Sequence, residues 1–148
     1  MDVRNPDGWW VNTSVFREEA SHFLKYGYYT PEPWGTPDWV AYWKEQQRRC
    51  KEGYEVGGVR ITGHHYFYLN FCMIRLTETD KKKGSASKKV TFPSFWDYDY
   101  EYFHILEIAR HGATEEQVKK LQLFTKPLFL DGGRHLIVGK ARRKGYSY

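Results

Sequence analysis

Cysteine is scarce in this chain: Cys50 and Cys72 are the only two in 148 residues. Two thiols build no disulfide framework, so the fold must rest on burial of apolar surface, and a reducing cytoplasm is the expected setting. No apolar run approaches the roughly 18 residues of a membrane span, and the mean hydropathy is -0.74. The opening MDVRNPDGWWVNTS lacks a basic end followed by an apolar stretch, the pattern of a secretory leader. No internal repeat recurs at a solenoid or propeller period. Acidic residues stop altogether after Asp131.

Aromatic residues, by contrast, are abundant: 6 Trp, 12 Tyr and 9 Phe make up 18% of the chain. That payload excludes a disordered tail, and the length suits one globular unit rather than a multidomain enzyme. The net charge is +5, yet residues 1–133 balance at 18 basic against 18 acidic. Arg134, Lys140, Arg142, Arg143 and Lys144 carry the excess. A general polyanion binder spreads its charge over a face, whereas here it sits beside an apolar run, which predicts a local anionic partner.

The pattern predicts a helix over about 15–26, with Phe16, Ala20, Phe23 and Leu24 on one face, Thr13 or Ser14 as cap and Gly27 at its end. A second helix starts at Pro37 behind the N-cap Thr36 and stops at Gly53, its apolar face being Trp39, Val40, Trp43 and Cys50, with both tryptophans in the core. After Gly57 and Gly58, Val59–Ile61 reads as a short strand. GHHYFYLNFCMIRL at 63–76 is apolar at nearly every position, so periodicity does not choose between helix and strand. It is split into a helical turn and a strand from about Cys72 to Glu78, paired with Lys89–Phe92 across DKKKGSASKK, a solvated loop by composition.

FWDYDYEYF from Phe95 alternates like a strand, yet Phe95, Tyr102, Leu106 and Ala109 share a helical face. Ser94 and Asp97 stand at capping-box spacing and Gly112 closes the segment, so a helix is expected over about 95–111. Thr114 with Gln117 opens a short helix to about Leu123, and Pro127 with Asp131, Gly132 and Gly133 forms a turn. His135–Gly139 reads as a buried strand on Leu136, Ile137 and Val138. The expected class is α+β: helices and a small β-hairpin over 1–133, then a strand and loop over 134–148.

The strand HLIVG runs directly into KARRKGYSY. An apolar strand feeding a basic loop that closes on Gly145 and Ser147 is the architecture of a phosphate-binding loop. Successive backbone N–H groups cradle the anion, a Lys or Arg reaches the terminal phosphates and a hydroxyl takes magnesium. The strict G-x-x-x-x-G-K-[ST] string is not met. Counted back from Gly145, Lys140 stands at the first glycine position and Tyr146 at the lysine position, while Ser147 holds the magnesium-ligand position.

KARRKGYS at 140–147 resembles the deviant Walker A phosphate loop of tailed-bacteriophage large terminase subunits, in which the basic residue stands ahead of the glycine. ITGHHYFYLNFCMI at 61–74 resembles the family's aromatic segment written near G-x-H-Y-F-F-L-N-Y, and PSFWDYDYEYF at 93–103 resembles the stretch before its phosphate loop. The three follow the family's order and cover roughly the last two thirds of the chain. The resemblance implies that 134–148 is the first strand and phosphate loop of a P-loop NTPase α/β fold, with ATP and Mg2+ as cofactors.

It further implies a ring-forming motor that drives double-stranded DNA into a procapsid, with the portal protein and the small terminase subunit as partners. The setting implied is the host cytoplasm and, transiently, the procapsid. Phosphate contact falls to Lys140, Arg142, Arg143 and Lys144, close backbone approach to Gly145, a further loop contact to Tyr146, and magnesium to Ser147. Arg143, two residues before Gly145 where the family often has arginine, or Lys140 at the far end of the loop, replaces the usual lysine. The family's Walker B acids, coupling segment and nuclease carboxylates lie downstream of its loop. The chain is therefore expected to be an N-terminal part, truncated or split, with no ATPase activity alone.

Each feature has a plainer counterpart. The basic tail by itself suits a solvated terminus, or a non-enzymatic module that binds nucleic acid or another protein through that tail. His64 and His65 are adjacent and so diverge in regular structure, with no Cys or His partner at ligand spacing. The aromatics of 96–103 suit the core and interface positions of a helix better than base stacking, and Asp97, Asp99 and Glu101 suit a helix's first turns better than a catalytic acid pair.

Overall fold

Caps and glycines set most of the element boundaries. The computed structural model of the chain describes residues 2–4, 10–80, 85–121, 132–133 and 135–137, in two units, Met1–His104 and Ile105–Tyr148. In the first unit Asp2–Arg4 (β1) pairs antiparallel with Trp10–Asn12 (β2), a hairpin that the sequence pattern does not predict. Asn12, rather than Thr13 or Ser14, caps the first helical segment. Its Oδ1 accepts from the Ser14 N–H at 2.9 Å, and the chain tightens into a 3-10 turn over Thr13–Arg17 before α1 (Glu18–Tyr26). Gly27, at φ 80°, ends α1 with its N–H on the Phe23 carbonyl at 2.8 Å. Phe16 and Ala20 are buried, whereas Leu24 is 50% exposed, because it lies at the rim of the apolar arc.

α2 (Pro37–Glu52) has the ends its punctuation predicts. Thr36 Oγ1 accepts from the Trp39 N–H at 3.3 Å, and the Gly53 N–H closes on the Arg49 carbonyl at 2.9 Å. Its fully buried residue is not a tryptophan but Gln46, on the face it shares with Trp39, Trp43 and Cys50. The two tryptophans are half-buried, since an indole is rarely buried completely, and Val40 is exposed. They join Tyr29 and Phe71 in an aromatic cluster with ring centroids 5.0–6.2 Å apart.

Tyr54–Val56 (β3) and Val59–Ile61 (β4) form a hairpin across Gly57 and Gly58, whose φ of 58° and 80° supply the two-residue turn that twists with its strands. α3 (Gly63–Phe71) comes at once after it, with Thr62 Oγ1 capping the His65 N–H at 3.2 Å. The apolar stretch therefore splits into helix and strand, but with nine helical residues rather than a single turn. Ile74–Asp80 (β5) then pairs antiparallel with Ser85–Thr91 (β6). Phe16, Val59, Ile61, Tyr66, Leu69 and Phe95 form the core of this unit, where the 3-10 turn, the β3–β4 hairpin and α3 meet.

The division between the units falls inside α4 (Asp97–His111), which starts two residues later than expected, with its first full turn closed by Tyr100 N–H on the Trp96 carbonyl at 3.0 Å. In the second unit Gly112 ends α4 at φ 79°. Thr114 and Gln117 form the reciprocal capping box, at 3.2 and 2.8 Å, ahead of α5 (Glu115–Lys120). The buried strand expected at His135–Gly139 does not form over residues 135–137: His135 is exposed and Ile137 is 94% exposed. A strand exists through the neighbour that satisfies its backbone, and among the described residues the three two-stranded sheets end at Thr91. The described residues thus make a mixed α+β architecture with antiparallel hairpins, and none of their helices is long and apolar enough to cross a membrane.

Candidate functional site

The loop residues to which the sequence assigns chemistry, Lys140, Arg142, Arg143, Lys144, Gly145, Tyr146 and Ser147, lie outside the described residues. What the structure places together are the two aromatic stretches ahead of them. α3 meets the start of α4 through His65, whose ring lies 4.9 Å from Phe95, 4.9 Å from Phe103 and 6.4 Å from Tyr100. One helical step separates it from exposed His64, yet His65 is fully buried and neither of its ring nitrogens has a hydrogen-bond partner. Burial, and secondarily the nearby His104, lower its pKa to about 3, so the ring is neutral at pH 7. His104, also buried, places Nε2 2.9 Å from the Arg60 carbonyl.

The acids at the start of α4 have different fates. Asp97 is exposed, as suits a first-turn acid, while Asp99 is 4% exposed and burial raises its pKa to about 6. His65 and Asp99 then act on stability with opposite sign. His65 takes up a proton more readily when unfolded, so its contribution is lost as pH falls from 6.5 towards 3. Asp99 holds its proton more tightly when folded, so its contribution is lost as pH rises from 3.8 towards 6. Between pH 4 and 6 the two slopes oppose each other. His65→Phe is expected to gain stability on acidification across that window and Asp99→Asn to lose it, each by about 1 kcal/mol per pH unit relative to the parent. Denaturant melts at three pH values check this; parallel pH profiles for all three proteins would show that neither group is titrating as described.

A second cluster centres on Arg49. Its Nε donates to Glu45 Oε1 at 2.9 Å, its Nη1 to the Tyr66 hydroxyl at 3.2 Å, and its guanidinium lies over the Tyr54 ring, 4.2 Å from the centroid. The Tyr66 hydroxyl donates to Gln46 Oε1 at 2.6 Å, and the Tyr42 hydroxyl donates to Glu19. Arg48 and Arg49 together hold the Glu45 carboxyl down at about 2. These bonds tie α1, α2, β3 and α3 to one another. Beside them an open cleft of about 320 Å3 is lined by Arg48, Glu52, Gly53, Tyr54, Glu55 and Arg60.

That cleft does not suit an anion. Arg48 is engaged by Glu45 at 2.7 Å and Glu52 at 3.1 Å, and Arg60 Nη2 donates to the Glu52 carbonyl at 2.6 Å. The carbonyl dipoles at the C-terminal end of α2 also repel negative charge. Cys50 and Cys72 are free and half-buried, with burial pushing both thiols up, which makes them poor nucleophiles. Among the described residues no group of three or more His, Cys, Asp or Glu could hold a metal ion.

Sequence reasoning missed the buried polar residues Gln46, His65, Asn70, Asp99 and His104. For two of them a signal existed. Gln46 recurs at helical spacing with Trp39, Trp43 and Cys50, and Asn70 interrupts an otherwise apolar run, so each is a polar residue on a face that periodicity assigns to the core. No family model matches the chain, and no curated protein or solved structure matches it significantly.

Proposed function

We propose that this chain is the leading part of the ATPase of a viral DNA-packaging motor of the large-terminase kind. The observation that carries the reading is the basic loop sequence KARRKGYS at 140–147, behind an apolar stretch and after two aromatic segments in the family's order. Supporting it, those two segments pack on each other through His65, Phe95 and Phe103, so they belong to one folded unit. In this reading bound ATP with Mg2+ supplies the phosphoryl group. Lys140, Arg142, Arg143 and Lys144 meet its negative charge, Gly145 lets the backbone approach, Tyr146 completes the loop and Ser147 offers its hydroxyl to the metal. Double-stranded DNA, a portal protein and a small terminase subunit are the partners of the intact, ring-forming protein in the host cytoplasm.

The reading fails or stands on the downstream reading frame and on turnover. A frame that continues past Tyr148 into a helix and an apolar strand ending in Asp-Glu supports it, whereas a stop codon with no companion gene favours a non-enzymatic binding module. In the extended protein, Arg143→Ala and Ser147→Ala are expected to lower ATPase turnover about 10²-fold, because a cation removed from a water-poor site leaves developing charge uncompensated. Lys44→Ala, at an exposed position on α2, is expected to change it less than about twofold. If Arg143→Ala behaves like Lys44→Ala, the essential cation is Lys140 or Lys144. Full activity after each of the four basic loop residues is neutralised in turn refutes the assignment.

A further inference from the structure

Residues 26–43 stand apart from the rest of a chain whose net charge is +5: they hold seven aromatic residues and two acids, Glu32 and Asp38, and no Lys, Arg or His. Tyr29, Trp39, Tyr42 and Trp43 are half-buried, as indoles and phenols on a folded chain usually are. Trp34 is 85% exposed. It is nonetheless held in place. Pro31 and Pro33 restrict the backbone ahead of it, and the Thr36 N–H and Oγ1 both donate to the Pro33 carbonyl, at 3.2 and 2.8 Å, closing a tight turn with Trp34 and Gly35 at its centre. Gly35, at φ 79°, supplies the positive φ that the third position of a type II turn requires. The Trp34 indole leans on that of Trp39, with centroids 6.0 Å apart and planes at 56°, so the pair is open rather than stacked face to face.

The two acids of this segment are exposed, and neither carboxylate has an ion-pair partner among the described residues. Asp38 has a structural reason for its place, in the first turn of α2, where it offsets the partial positive charge of the helix start. Glu32, outside any helix, has none. Two full negative charges outweigh that half positive one, so the surroundings of Trp34 are anionic. The bordering bases leave this unchanged: the Lys25 ammonium lies over the Tyr26 ring, 4.9 Å from its centroid, and Lys44 stands six residues beyond Asp38, about 9 Å farther along α2. Elsewhere in the chain a ring and a carboxylate together hold a guanidinium, where Arg49 lies 4.2 Å over Tyr54 and donates to Glu45 at 2.9 Å.

We propose that the Trp34 turn is a docking site for an arginine-bearing segment of a partner protein, with a guanidinium lying on the exposed indole and pairing with Glu32 or Asp38. Tryptophan is the ring that attracts cations best, and arginine adds planar stacking and a fork that fits a carboxylate. Charge complementarity selects this occupant: the same two acids repel a phosphate backbone or an anionic bilayer, and a sugar would stack on the indole without using them. The turn is ordered before anything binds, so docking forfeits little conformational freedom, and an exposed tryptophan is the kind of anchor on which binding energy concentrates. The inference rests on residues 26–43 alone and stands apart from the phosphate-loop reading.

The test is an NMR titration of the isotope-labelled chain with the peptide acetyl-Gly-Arg-Gly-Arg-Gly-amide at low salt, following the indole N–H resonances of Trp34 and Trp39. Both are expected to shift saturably with a Kd of about 1 mM, and the same peptide with citrulline, which keeps the shape of arginine without its charge, is expected to leave them in place. Trp34→Ala, read at Trp39, and Glu32→Gln/Asp38→Asn are each expected to weaken binding about fivefold, while Trp34→Tyr, which keeps a ring, falls between Trp34→Ala and the parent. In about 0.5 M salt the parent and the double acid variant are expected to converge, because exposed charges are then screened. All three positions are exposed, so the variants keep the fold, and unchanged amide dispersion verifies it. The proposal is overturned if the Trp34 resonance stays in place up to about 10 mM peptide, if the citrulline peptide binds as tightly, or if either Trp34→Ala or the double acid variant stays within about twofold of the parent. Tighter binding of cellobiose, of a proline-rich peptide without arginine or of a DNA duplex under the same conditions also overturns it.

Discussion

Gly63→Ala is expected to lower the unfolding free energy by about 3 kcal/mol, the upper end of the range for overpacking. Gly63 is the first residue of α3, and there the chain passes against the last turn of α2. A Cβ at this position would stand 2.5 Å from the Cys50 carbonyl carbon, closer still to its oxygen, and 3.2 Å from the Lys51 carbonyl carbon. All three atoms are backbone, so relief requires moving a helix rather than rotating a side chain. Alanine's better helix propensity works in the other direction by no more than about 1 kcal/mol. Gly27→Ala makes the useful comparison, because its added Cβ meets nothing within 4 Å and only its φ of 80° resists substitution. That strain costs about 1–2 kcal/mol. Urea melts of the two variants decide the matter: a smaller loss for Gly63→Ala than for Gly27→Ala would rule out a backbone collision between α2 and α3.

Asn70→Ala is expected to cost about 4 kcal/mol, a large share of the total stability of a domain this size. The side chain is fully buried and makes three bonds to backbone. Oδ1 accepts from the Ala20 N–H at 3.1 Å, and Nδ2 donates to the Phe16 carbonyl at 2.8 Å and to the Tyr66 carbonyl at 3.0 Å. It thus supplies a donor and an acceptor where the 3-10 turn passes into α1, a junction at which intrahelical partners are missing. Truncation strands the Ala20 N–H and the Phe16 carbonyl away from water, at about 1–3 kcal/mol each, and leaves a cavity besides. Asn70→Asp keeps the acceptor but sets oxygen against the Phe16 and Tyr66 carbonyls, so it is expected to be no better tolerated. A variant of either kind that melts within about 1 kcal/mol of the parent would show that water can replace the amide at this junction.

Both ends of α2 and the start of α5 were legible because a cap is written in three or four consecutive residues: Thr36-Pro37 with Gly53, and Thr114 with Gln117. The start of α1 was harder to place, since Asn12, Thr13 and Ser14 are all competent caps and only the 3-10 geometry selects the first. β3 was passed over because Tyr54-Glu55-Val56 is too short to show a period, and it exists through its pairing with Val59–Ile61. The apolar stretch at 63–76 defeated periodicity for a different reason. α3 exposes Phe67 and half-buries Tyr68 and Phe71, so its outer face is as aromatic as its inner one and carries no polar stripe to mark the period.

The candidate site divides along the same line. Residues 140–147 were singled out by chemistry that is local in sequence, a run of cations ahead of a glycine and a serine. The roles of His65, Asn70 and Gln46 were not visible there, because each depends on groups far away along the chain: Phe95 and Phe103 around His65, Phe16 and Ala20 around Asn70, Tyr66 against Gln46. The sequence by itself determined both ends of α2, the glycine stops of α1 and α4, the start of α5, the β5–β6 pairing in outline, and where positive charge gathers, since caps, turns and charge runs act over a few neighbouring residues. Only the tertiary structure decided which polar side chains are buried and that Gly63 has no room for a Cβ, because burial and close approach arise between segments that the chain brings together only on folding.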